Sequence, residues 1–203
     1  MQLNGLTVIG CDGTNVNTGH KEERIKDSDE NKESTYYLPH RADIRKGHSA
    51  TRLRIVLYAS AHGKRQLSLN DSLYTGPNLI PDLFSLLHRF RSHPVAITAD
   101  IQKAYLQLNI DKEDRNFTRF YWSNNPEDDN EEIYRMTRFL FGVCSSHFLL
   151  AATIKYHLKW YIEQFPMTCE LLEISLHVDD LITGREDIEF AFKTSQEAFT
   201  LVA

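Results

Sequence analysis

Three aspartates are the residues of this chain best placed to do chemistry. Asp100 follows the short apolar run Pro94–Ala99, and Asp179 and Asp180 sit together at the end of a second apolar run much later in the sequence. If the two runs are neighbouring strands, the carboxylates converge. Close carboxylates repel, so holding them beside an apolar sheet raises their pKa values or calls for a compensating cation. Mg²⁺ supplies that charge, because it takes hard oxygen ligands, commonly one or two carboxylates plus substrate phosphates. Two such ions about 3.5–4 Å apart activate an attacking hydroxyl and stabilise a leaving pyrophosphate, which is nucleotidyl transfer. The same residues also have simpler uses. An Asp after a strand often caps the next helix, and Asp-Asp is a common turn dipeptide. Spacing alone leaves both readings open.

The elements that must position these groups follow from periodicity. Thr51–Ala59 alternates basic and apolar side chains and predicts a strand with a cationic face. Pro81-Asp82 opens a segment with Leu83, Leu86, Leu87 and Phe90 at helical spacing, stopped by His93-Pro94. Pro94–Ala99 reads as a strand, and KAYLQL after Asp100 as a tight turn or short helix. Phe117–Trp122 and Ile133–Arg138 alternate on either side of an acidic loop, which predicts a hairpin. Ser145–Phe165, apolar and free of Gly and Pro, predicts a core helix. Leu171–Val178 predicts a strand, Asp179-Asp180 its turn, LITG the return strand, and residues 187–199 a last helix. This order suits an α+β fold, an antiparallel sheet with helices on one face.

Composition narrows the class. The chain has 203 residues, enough for one ordinary domain, and a net charge of −5 that argues against a polybasic nucleic-acid binder. The balance is uneven: residues 1–35 carry −3, residues 36–70 carry +6 with Asp43 their only acid, and residues 71–203 carry −8. Between Lys21 and Glu33 ten of thirteen positions are charged, so residues 1–35 are expected to be a disordered or solvated tail, with one continuous fold over 36–203. Cys11, Cys144 and Cys169 fit neither a disulfide framework nor a zinc cluster, which points to a reducing, intracellular setting, cytoplasmic or nuclear. The most apolar stretch, Phe139–Ile154, falls short of the roughly 20 residues a bilayer requires, so no membrane partner is expected.

The residues around the aspartates resemble a known family. Asp100-Ile101-Gln102-Lys103-Ala104-Tyr105 looks like the first palm motif of reverse transcriptases, and Arg138-Phe139-Leu140-Phe141-Gly142-Val143-Cys144-Ser145-Ser146-His147-Phe148 like the second. His177-Val178-Asp179-Asp180-Leu181 looks like the third, the Tyr-x-Asp-Asp hairpin. With YYLPHRADI, LRIVLYASA and LSLNDSLYTGPNLIPDLFSLLHRFR, these are similar to the Bel/Pao class of long-terminal-repeat retrotransposon polyproteins, from about Tyr36 to the C-terminus. The resemblance implies the fingers and palm of an RNA-directed DNA polymerase, with template and primer nucleic acid and deoxynucleoside triphosphate as partners. It also implies two Mg²⁺ ions, with Mn²⁺ as the alternative. Asp100 and Asp179 would hold the metal, Asp180 would assist, and the carbonyl of Ile101 would complete a site. Tyr105 would be the steric gate against a 2′-OH, the group that separates RNA from DNA precursors. Arg54 would lie over the triphosphate, a bidentate role suited to guanidinium, with Arg45, Lys46 and Arg52 nearby in the basic block. Phe141 and Gly142 would approach the nucleotide.

The chain departs from that pattern at Tyr58, where the family has Asp, at His177 in place of the hairpin Tyr, at His147 in place of Pro, and at Leu140, where Pro is frequent. Only a return strand and one helix follow Asp180, so the thumb is expected to be missing and the chain to be a fragment or a decayed copy of an element, the remainder of a Pol polyprotein being a partner only in the first case. A thumbless polymerase grips duplex poorly, since affinity comes from phosphate contacts over several base pairs. The competing expectation is therefore a catalytically inactive retroelement remnant that at most binds nucleic acid.

Overall fold

The computed structural model describes residues 8–9, 21–25, 35–44, 53–123 and 131–202. In chain order the elements are β1 (Val8–Ile9), β2 (Glu22–Arg24), β3 (His40–Ile44), β4 (Leu53–Leu57), α1 (Leu69–Ser72), α2 (Leu83–Ser92), β5 (Val95–Asp100), α3 (Ala104–Gln107), β6 (Asn109–Ile110), β7 (Arg119–Trp122), β8 (Glu132–Met136), α4 (Ser146–Leu158), α5 (Pro166–Ser175), β9 (Leu176–His177), β10 (Asp180–Arg185) and α6 (Ile188–Val202). They fall into two units, one built from β1 to β4 and α1 together with Tyr105–Ser146, the other from Gly76–Ala104 and His147 onward.

The second unit is an antiparallel sheet in the order β5-β10-β9. Alternation along β5 and β10 sends Ile97 and Leu181 to one face, where they join Leu158 of α4, Cys169 and Leu172 of α5, Leu176 of β9, and Ala191, Ala198 and Leu201 of α6. Leu172 is wholly buried, and truncating such a leucine costs about 2–5 kcal/mol. The other face keeps Ala96, Thr98, Asp100 and Asp180 in solvent. The helix ahead of β5 starts and stops as its residues dictate: Asp82 caps α2 by accepting from the Ser85 N–H (2.8 Å), and the residue before Pro94 is extended.

Two predicted elements differ. The predicted strand Leu171–Val178 is helix as far as Ser175 and strand only at Leu176–His177. Pro166 stands in the first turn of α5, and Thr168, Cys169, Leu171, Leu172 and Ser175 are buried at three- and four-residue spacing, the signature of one helical face. The predicted helix Ser145–Phe165 stops at Leu158. Tight turns follow, Trp160 to His157 (3.1 Å) and Tyr161 to Leu158 (3.0 Å), and Pro166, which bars the helical conformation at Phe165, starts a new helix.

The first unit holds three smaller sheets, β1-β6, β3-β4 and β2-β8-β7. The predicted hairpin is β7 and β8, paired from Arg119 opposite Arg135 to Trp122 opposite Glu132. Most of the expected tail lies outside the described residues, but its described parts are paired strands. β1 joins β6, and β2 joins β8, where Glu23 lies between Arg135 (2.6 Å) and Arg115 (3.3 Å). Cys144 and Cys169 are free thiols, and Cys11 lies outside the described residues. Among the described residues no helix is long and apolar enough to cross a membrane.

Gly76, in the loop ahead of α2, has φ of +82°, and a Cβ there would collide with the Phe148 ring at the start of α4. Gly76→Ala should therefore lower unfolding free energy by about 2–3 kcal/mol, from overpacking and left-handed strain together. Chemical denaturation checks this, and adding Phe148→Ala should recover the steric part only if the collision is its source.

Candidate active site

The ladder between β5 and β10 decides where the carboxylates go. Its register pairs Ile97 with Thr183, Ala99 with Leu181, and Asp100 with Asp180. Residues directly opposite in an antiparallel pair share a face, with Cβ atoms about 4.5–5.5 Å apart. Because Leu181 points into the core, Asp180 points out, and Asp100 with it. On the other side of β10 the partner of Asp180 is His177, so Asp100, Asp180 and His177 form one row across three strands. The Nδ1 atom of His177 is buried and has no hydrogen-bond partner among the described residues.

Asp179 lies one residue further out, in the turn. Its carbonyl accepts from the Ile101 N–H (2.9 Å), which extends the ladder past Asp100 and ties the hairpin tip to the chain leaving β5. The Ile101 carbonyl accepts from Ala104 N–H (3.1 Å) and keeps its second lone pair. The turn is tight, and Val178 takes φ of +63° as its first central residue. Hairpins with positive φ at that position alone favour glycine there, and a β-branched residue is strained.

Mg²⁺ bound mainly through phosphates needs only one or two protein carboxylates, and Asp100 opposite Asp180 on a solvent face provides them, with Asp179 and the Ile101 carbonyl adjacent. Among the described residues no three His, Cys, Asp or Glu side chains stand close enough to hold an ion by themselves. The rest of such a shell would therefore come from backbone, water and substrate oxygens.

Arg54, Tyr58, Tyr105, Phe141 and Gly142 belong to the first unit and His147 to the second. Arg54 lies on β4 opposite Asp43, while Arg45, Lys46 and Arg52 lie outside the described residues. Tyr105 is buried at 2% exposure with Phe141 packed edge-on against its ring, centroids 4.5 Å apart, whereas Phe141 is 58% exposed. The Phe141 ring thus stands between solvent and one edge of Tyr105. Gly142 has φ of +85°, which its lack of a side chain permits, and Tyr58 is exposed. Sequence reasoning gave no role to Asn70. The Ser68-Leu69-Asn70-Asp71 stretch carries a capping-box pattern that could have marked a helix start there.

The site thus sits on a mixed helix and antiparallel-sheet fold with a carboxylate pair at the open end of its sheet. Solved structures place that fold. The chain superposes on a foamy viral protease-reverse transcriptase in complex with double-stranded DNA with a TM-score of 0.62, at 16% identity over 89% of this chain and 26% of that one. A second foamy viral complex with double-stranded DNA gives 0.61 at 17% identity, covering 90% of this chain and 31% of that one. A third, with an RNA/DNA hybrid, gives 0.58 at 18% identity over 83% and 19%. The chain therefore shares a reverse-transcriptase-like fold and spans between a fifth and a third of the length of those proteins. No protein-family model and no curated protein matches its sequence.

Replacing Val178 by Gly should relieve the turn strain of about 1–3 kcal/mol while loosening the unfolded chain by up to about 1 kcal/mol. The expected net is a gain of about 1 kcal/mol, seen as a thermal midpoint raised by about 2–4 °C. An unchanged or lower midpoint would mean that the turn carries no strain.

Proposed function

We propose that this chain is the fingers and partial palm of an RNA-directed DNA polymerase of Bel/Pao retrotransposon origin, with residues 36–203 as the polymerase region. The observation that carries this reading is the opposition of Asp100 and Asp180 on the solvent face of β5 and β10, in a chain with a reverse-transcriptase-like fold. The three palm motifs, in family order along the sequence, support it independently.

In this reading Asp100, Asp179 and Asp180 and the Ile101 carbonyl hold two Mg²⁺ ions, which when bound lower the barrier to attack of a primer 3′-OH on a deoxynucleoside triphosphate. The ladder keeps Asp100 and Asp180 on one face without reorganisation at the moment of reaction, and the Ile101–Asp179 hydrogen bond holds the turn against β5. Arg54 supplies positive charge for the triphosphate, and Tyr105 with Phe141 forms the wall that rejects a 2′-OH. The partners are a primed RNA or DNA template and the nucleotide. The phosphate contacts of a thumb would come from the rest of a Pol polyprotein.

The test is primer extension on an RNA template with the purified chain and Mg²⁺. Incorporation should appear with the intact chain and fall to background in Asp100→Asn and Asp179→Asn, with folding checked by circular dichroism. Equal incorporation in these variants would sink the assignment. A folded chain with no incorporation would leave the inactive, nucleic-acid-binding remnant as the reading.

A further inference from the structure

The turn that carries Phe141 is tied down on its far side by one amide side chain, while the Ser146 hydroxyl donates to the Leu140 carbonyl (2.8 Å) on its near side. Asn70, the second residue of α1, donates from Nδ2 to the Gly142 carbonyl (2.9 Å) and to the Ser60 hydroxyl (2.7 Å), and its Oδ1 accepts from the Cys144 N–H (2.8 Å). A carbonyl only accepts and an amide N–H only donates, so the orientation of the amide is fixed by its partners. Asn70 is itself anchored. Its N–H donates to the Ala59 carbonyl (3.0 Å), and α1 starts with a reciprocal cap in which Ser68 accepts from the Asp71 N–H (3.1 Å) and donates to the Asp71 carboxylate (2.7 Å). The Ser68 hydroxyl and the Ser68 N–H (2.9 Å), both donating to the Asp71 carboxylate, hold that carboxyl below its ordinary range.

Val143, which is buried, lies between the two backbone groups that Asn70 grips, and the chain turns just ahead of it at Gly142, which takes a positive φ and has no side chain with which to pack itself in place. Phe141, one residue before, projects with more than half its surface exposed and its ring at the edge of Tyr105. The direction of the Phe141 ring therefore depends on where Asn70 holds the following peptide.

We infer that Asn70 is a positioning residue for sugar selection: by clamping Gly142 and Cys144 it fixes Phe141 against Tyr105, and so sets how strongly the chain prefers a deoxyribonucleoside triphosphate over its ribo counterpart. This rests on the polymerase reading above and adds to it a residue that touches neither metal nor nucleotide.

The experiment compares the whole chain with Asn70→Ala and Asn70→Asp, the latter keeping the acceptor for Cys144 and serving if the alanine variant does not fold. Two readouts are taken: amide hydrogen exchange, and equilibrium affinity for dTTP and for its ribo counterpart in Mg²⁺. Loss of these hydrogen bonds should speed exchange at residues 141–144 by about tenfold or more and narrow the deoxy-to-ribo affinity ratio by about tenfold, while amides of the β7–β8 ladder keep their protection. Acceleration spread over β7 and β8 would assign Asn70 a merely structural role and overturn the inference. So would an intact chain that prefers the deoxy form and a variant that prefers it equally. An intact chain without preference between the two nucleotides would overturn the polymerase reading itself, and this inference with it.

Discussion

The pairing of β5 with β10 is the constraint on which the rest of the second unit depends. Side chains alternate with a period of two, so a slip of one residue would turn Leu181 out into water and Asp180 into the core. Burying a carboxylate without partners is far more expensive than exposing a leucine, and the two penalties act together against the slip. The apolar cluster of Ile97, Leu172, Leu181 and Ala198 is therefore also what aims the carboxylates. Core and chemistry are the two faces of one register.

That arrangement carries its own opposition. Two carboxylates facing each other repel, and the repulsion is tolerable because the face is open to water. The hydrogen bond from Ile101 to Asp179 continues the β5–β10 ladder past Asp100 and keeps the two strands from parting to separate the charges. The sheet thus holds a local charge excess that a cation would relieve, and packing on the far face keeps it in place.

How much of this was legible in the sequence depended on whether a segment's pattern had one explanation. The helix from Leu83 had a cap, a spaced apolar face and a proline stop, and its limits follow those residues. The strand into Asp100 was short, β-branched and bounded by proline. Leu171–Ser175 had no such help, because a short apolar run fits a buried helix or a strand equally well, and only Pro166 marked the helix start. The pairing of β2 was hidden for another reason. Glu22–Arg24 are charged at every position, and what holds them is an ion-pair arrangement with Arg115 and Arg135 that no local pattern announces. The aspartates were legible as residues, but the face they share could be read only from the ladder. Asn70 was invisible for a similar reason, since its partners at 142 and 144 lie far along the chain.

The link between Glu23 and Arg135 spans 112 positions. Contacts of such range form late, because the loop they close must first lose its conformational freedom. During synthesis β8 emerges long after residue 23, so β2 waits for most of the chain before it has anything to pair with. Until then the edge of β2 has open backbone groups, and Glu23 has neither of its arginine partners. The order of assembly makes that edge the place where a nascent chain is most exposed to pairing with a neighbour.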